Sequence, residues 1–209
     1  MIELFVASFA TLFVVIDPPG CAPIFASLTR DAPAAQRRAM AFRSVAIAAF
    51  LLLFFGLFGE DLLRTLGISL AAFRIAGGIM LFLIALEMVF EKRTERRENR
   101  ANEVNATPEI EDISVFPMAI PMIAGPGSIA SVMLLTARSD GLDESLVVLA
   151  ALGSILLITL LSLLAAGPLM RLLGHKVEAM LTRLLGVILA ALAIQFVIDG
   201  ISVSFDIKV

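Results

Sequence analysis

Asp17-Pro18-Pro19-Gly20-Cys21-Ala22-Pro23 interrupts an apolar run that begins at Leu4, reaches Ile16 and resumes from Ile24 to Thr29. No regular helix passes through it. Pro18 disfavours the α conformation at Asp17, and the paired prolines remove two N–H donors while clashing with carbonyls one turn back. A second interruption, from Phe116-Pro117 through Pro121 to Gly125-Pro126-Gly127-Ser128, cuts another apolar run. Backbone that breaks at membrane depth survives only where protein or water satisfies its polar groups. Both runs are therefore predicted to be discontinuous membrane helices whose breaks face an internal cavity.

The rest of the chain supplies the membrane setting. Of its 209 residues 59% are hydrophobic, against roughly 45–50% in an ordinary globular domain, and the mean hydropathy is +0.98. A helix needs roughly 20 mostly apolar residues to cross a hydrocarbon core of about 30 Å. Six such windows fit end to end, at about Glu3 to Thr29, Met40 to Phe58, Ile68 to Phe90, Ile113 to Thr136, Ser145 to Met170 and Leu181 to Ile201. The predicted fold is an all-α polytopic membrane protein of six transmembrane helices, the first and fourth of them broken. The opening Met-Ile-Glu carries no positive segment and no small-residue cleavage site follows, so the first span is expected to stay as an anchor.

Charge distribution predicts an orientation. Numbered alternately, the loops put Arg30, Arg37, Arg38, Arg43, Lys92, Arg93, Arg96, Arg97, Arg100, Arg171, Lys176 and Arg183 on one side, 12 of the 16 basic residues. The other side receives Arg64, Arg74, Arg138 and Lys208 among acids such as Glu60, Asp61, Asp140 and Asp199. Basic short loops stay cytoplasmic, so both termini are expected outside and the charged stretch 91–112 inside. That stretch mixes both signs and gives no support to nucleic-acid binding. The single cysteine, Cys21, excludes an internal disulfide and a two-cysteine redox cycle.

The two halves resemble each other. An offset of 107 residues lays Ile16, Pro19, Gly20, Leu28, Thr29, Arg64 and Gly67 on Ile123, Pro126, Gly127, Leu135, Thr136, Arg171 and Gly174. An offset of 109 lays Arg74, Gly77, Ile79 and Leu83 on Arg183, Gly186, Ile188 and Leu192. Residues 1–90 and 113–209 thus read as two three-helix repeats joined by a charged loop, all within one membrane domain. Three spans per repeat require opposite orientations in the bilayer, the inverted arrangement of many secondary transporters.

The breaks are the candidate site. A helix that restarts at Gly20 or Gly127 presents unpaired N–H groups and the positive end of its dipole, which suits a carboxylate. The preceding half-helix offers free carbonyls, and Asp17 adds a carboxylate, which suits a cation. Together they match a zwitterion, held by Asp17, Pro18, Pro19, Gly20 and Cys21 on one side and Gly125, Pro126, Gly127 and Ser128 on the other. Asp17 is the most informative residue, because an ionisable group within a span has a function or a partner. It is expected to bind substrate and carry a coupled proton, or else to cap its own restarted helix. Its counterpart at offset 107 is Ala124, so the site is asymmetric in charge. Glu87, late in the third span, either shares in proton coupling or snorkels towards Lys92 and Arg93. Gly77, Gly78 and Gly186 are read as close-packing positions.

Asp17-Pro18-Pro19-Gly20-x-x-Pro23-Ile24-Phe25, paired with Pro117-x-x-x-Pro121-x-x-x-Gly125-Pro126-Gly127-Ser128-Ile129, resembles the MarC family over essentially the whole chain. The resemblance implies a bacterial or archaeal inner-membrane protein of six spans within the wider LysE-like group of exporters, some members being described as neutral amino-acid transporters. Position 21 departs from the pattern, with Cys where many relatives carry a polar residue such as Asn. The leading reading is a proton-coupled carrier or exporter of small neutral amino acids that needs no cofactor, works in the lipid bilayer and is open to homo-oligomerisation. The alternatives are an exporter or channel for another metabolite, or a structural membrane subunit. A metal exporter would need ligand clusters within the spans, and the only histidine, His175, falls in a cytoplasmic loop. An enzyme is disfavoured, since there is no H-E-x-x-H and His175 is badly placed to activate a serine at mid-membrane.

Overall fold

The computed structural model describes residues 1–30, 32–105, 112–139 and 141–206. Asp140, Lys208 and the stretch 106–111 lie outside the described residues, as do the side chains of Arg100, Arg171, His175 and Lys176. Every regular element among the described residues is helical: α1 (Ile2–Ile16), α2 (Pro18–Leu28), α3 (Ala34–Thr65), α4 (Leu70–Val89), α5 (Lys92–Asn105), α6 (Pro126–Thr136), α7 (Leu142–Leu164) and α8 (Ala166–Phe205), with an irregular helical stretch at Ser114–Ile123 before α6.

Five or six spans result. Ile2–Leu28, Ala34–Thr65, Leu70–Val89, Leu142–Leu164 and Met180–Phe205 are each long and apolar enough to cross a bilayer, and Ser114–Ile123 with Pro126–Thr136, bent by 53° at its break, makes a sixth where the pair counts as one broken span. At 1.5 Å per residue the 32 residues of α3 reach about 48 Å, so its first turns, with Arg37 and Arg38, project beyond a hydrocarbon core of about 30 Å.

The first span and α6 form the centre of the bundle. Of the first span's most apolar window 56% is buried, against 28% for α3, α4 and the last span. Those outer helices turn Phe50, Phe54, Leu57, Phe58, Ile79, Leu83, Val187 and Ile188 outward, as lipid-facing surfaces require. Between the halves, α1 and α2 pack on α7, α3 packs on α6 and the irregular stretch, and α4 lies along α8. Glycines set that last contact, as expected for Gly78 and Gly186. A Cβ on Gly78 would lie 2.7 Å from the Ala193 carbonyl oxygen, and one on Gly186 would lie 3.1 Å from that of Ala85. Small residues let helices in lipid approach backbone to backbone.

The segment read above as a charged loop is largely a helix. Lys92–Asn105 is rich in Arg and Glu, both good helix formers. Among its described side chains the buried ones, Arg93 and Ala101, stand eight residues apart on one face, with the largely buried Arg97 midway between them. That face docks on α2 and α4.

Candidate functional site

The first break follows from its prolines. Asp17, forced out of the α region by Pro18, adopts a left-handed conformation (φ 59°, ψ 66°) that Asp tolerates better than most residues. Its N–H still closes α1 on the Phe13 carbonyl at 2.9 Å. Pro18 and Pro19 occupy the first two positions of α2, where a missing N–H costs nothing. Gly20 brings the first N–H of the new helix, and the Asp17 carboxylate accepts it at 3.1 Å. Cys21 is fully buried, its thiol 3.5 Å from the Ile16 carbonyl.

The chain supplies its own cations to this break. Arg97 of α5 reaches 80 residues back to place Nη1 at 2.9 Å from Asp17 Oδ2, with side chains only 11% and 3% exposed. One turn earlier, Arg93 donates to the Val15 carbonyl at 2.7 Å and approaches the Met88 sulfur at 3.0 Å. Asp17 therefore caps α2 and pairs with a buried guanidinium, while a carbonyl at the end of α1 holds a second one. Gly20 is the floor of this arrangement: a Cβ there would stand 2.2 Å from Asp17 Oδ2 and 2.9 Å from Arg97 Nη1.

The second break is built differently. Phe116 and Ile120, each preceding a proline, carry extended backbone inside Ser114–Ile123. Gly125 is the N-cap of α6 and has no side chain to cap it. A Cβ there would meet the Pro121 carbonyl oxygen at 2.4 Å, so the tight turn needs glycine. The first intrahelical bond runs from Ile129 N to Gly125 O at 3.0 Å, which leaves the Gly127 and Ser128 N–H groups ahead of it. This helix start opens on a cavity of about 310 Å³, lined by Gly125, Pro126, Gly127 and Ser128 and faced by Arg93, Arg96 and Arg97. At about 30 Å³ per water, it has room for a small metabolite.

Residues 2–205 match the MarC family of integral membrane proteins. The chain belongs to the MarC family. A UPF0056 membrane protein of Methanocaldococcus jannaschii is 38% identical over 96% of this chain and 97% of its own length. The UPF0056 membrane protein YvbG of Bacillus subtilis is 34% identical over 99% and 98%. The UPF0056 inner membrane protein YhgN of Escherichia coli is 35% identical over 91% and 92%. No solved structure matches the chain.

In this MarC protein the two predicted halves of the site are adjacent but unequal. Gly125 to Ser128 line the cavity directly, whereas Asp17, Pro18, Pro19, Gly20 and Cys21 are not part of its lining. Thr29 and Thr136 return their hydroxyls to carbonyls of their own helices. Arg93, Arg96 and Arg97 were not singled out from sequence. The available signal was the buried Asp17, which required a partner, together with the basic residues at 92–100 on the same side of the membrane.

Glu87 is half-buried and meets Arg96 at 2.7 Å rather than Lys92 or Arg93. Because Arg96 is 60% exposed, the pair is well solvated and weak. Glu87→Gln is expected to cost under about 1 kcal/mol, and thermal unfolding in detergent at low and high salt would measure it. A larger loss would give Glu87 a role beyond this pair.

Proposed function

We propose that the chain is a proton-coupled carrier of small neutral amino acids, working by alternating access in the inner membrane. The observation that carries the reading is the cavity at the second break, where an uncapped helix start faces the partner break across Arg93 and Arg97. A substrate carboxylate would sit on the Gly127 and Ser128 end of α6, in the favourable field of the helix start. Its ammonium would take the acceptors now held by the arginines, the Asp17 carboxylate and the Val15 carbonyl. Asp17, once separated from Arg97, would then be the group that exchanges a proton.

Helix pairing supports an inverted repeat. The first span packs on the fifth, the second on the fourth and the third on the sixth. Exchanging the halves maps that set of contacts onto itself, as a pseudo-twofold axis in the membrane plane requires. Alternating access would rock one half against the other about the two breaks.

Saturable counterflow of labelled alanine, serine or threonine into proteoliposomes preloaded with the unlabelled amino acid is the expected result. Uptake no faster than in protein-free vesicles for all three would overturn the reading, and flux without saturation would favour a channel. The carrier should have α5 on the cytoplasmic side and both termini outside. In a Cys21→Ser background, a cysteine replacing the exposed Glu98 should resist an impermeant thiol reagent in intact cells and react in inverted vesicles. Labelling in intact cells would reverse the topology.

A further inference from the structure

Among the described residues, the docked arginines leave the cavity with a charge that no carboxylate balances. Arg97 meets Asp17 and Arg96 meets Glu87, but among the described residues no carboxylate pairs with Arg93, which also lines the cavity. Burial, more than the neighbouring Arg97 charge, lowers Arg93 to about 10, so it remains a full cation at neutral pH. The facing wall offers further donors. Ser128 is 3% exposed, lines the cavity and finds no hydrogen-bond partner for its hydroxyl among the described residues. Its N–H and that of Gly127 precede the first bond of α6.

The first break shows how such a site is filled. There a carboxylate, that of Asp17, takes the N–H at the start of α2 and meets an arginine of α5. At the second break Ala124 stands in the corresponding sequence position, so the helix start, the arginine and a free hydroxyl are present and the carboxylate is not.

We propose that, with α5 docked, this cavity binds a small monoanion, a carboxylate without an accompanying ammonium, seated between Arg93, Ser128 and the start of α6. A zwitterion fits the docked state less well, because its ammonium would face the same guanidinium groups. Such an anion neutralises the surplus charge and holds α5 in place, whereas an amino acid must draw α5 away. Binding to the docked state does not depend on the transport reading; only the consequence, that the anion shuts the carrier, rests on it.

The test uses the purified full chain in detergent, in HEPES buffer at constant ionic strength. Sodium propionate is the probe and propionamide its uncharged isostere. Propionate should raise the unfolding temperature saturably, as a ligand of the folded state does, and propionamide should not. Arg93→Gln should weaken the apparent affinity by about tenfold or more, and Ser128→Ala by about threefold. Ser128→Ala removes one hydroxyl at a helix start and keeps the test available if Arg93→Gln does not fold. An equal response to propionamide, no saturable response to propionate, or an unchanged affinity in Ser128→Ala would each overturn the site. Since no step measures transport, a failed counterflow experiment leaves this result standing and the reverse also holds.

Discussion

Gly20→Val is expected to lower stability by about 3 kcal/mol or more and to abolish counterflow, while Gly127→Val is expected to cost about 1–3 kcal/mol. Sequence symmetry treats the two glycines as equivalents at which backbone approaches ligand, but their surroundings differ. Any Cβ at Gly20 falls 2.2 Å from Asp17 Oδ2, a carboxylate fixed both by Gly20 N and by Arg97. It cannot retreat without leaving a buried guanidinium with a displaced partner. At Gly127 the first obstacle is the tip of Ile84 at 2.5 Å, followed by Val15 Cγ1 at 3.4 Å. Only the Ile84 tip, the far end of a flexible side chain beside the cavity, has to move; Val15 Cγ1 is at ordinary contact distance. Thermal unfolding in detergent, with and without alanine, separates the two effects. Gly20→Val should unfold early in either condition, whereas Gly127→Val should fold and lose alanine-induced stabilisation. Equal losses at the two positions would show that the breaks are alike in function, against the asymmetry of their contacts.

That asymmetry marks the limit of what was legible in the sequence. Helix breaks are local: Pro18 acts on Asp17 and Pro121 on Ile120 through adjacent backbone, so both interruptions could be placed to within a residue or two. Spans were legible because hydropathy and length are sufficient to define them, although the window at Ser145 to Met170 runs past the end of α7 at Leu164 into the long helix α8. The pairing of Asp17 with Arg97 was not, because it joins residues 80 positions apart through a helix that is polar overall. The stretch 91–112 looked like a solvated loop because its charges nearly cancel. Its helical face is visible only when Arg93, Arg97 and Ala101 are read at a spacing of four. The orientation of Cys21 was not legible either, since hydropathy does not report that its thiol turns back onto the Ile16 carbonyl.

The strongest test of the mechanism is the buried pair itself. Asp17→Asn and Arg97→Gln are each expected to lose about 3 kcal/mol, since each leaves a charge in a poorly hydrated space without its partner. The double variant should lose about 2 kcal/mol less than the sum, because the second change removes the charge stranded by the first. Chemical unfolding in micelles would give the cycle, and its coupling should change little with salt, unlike that of Glu87 and Arg96, which lie nearer solvent. Transport then decides what the pair is for. If Arg97 stands in for the substrate ammonium, Arg97→Gln vacates that place and should lower the KM for counterflow even as stability falls. Asp17→Asn removes the acceptor and should raise KM and end the dependence on a proton gradient. Opposite shifts from two residues in one ion pair have no explanation in a structural bridge, which would impair both variants in the same direction. Equal losses of transport would therefore make α5 a fixed wall of the site and would remove displacement of its arginines from the transport cycle.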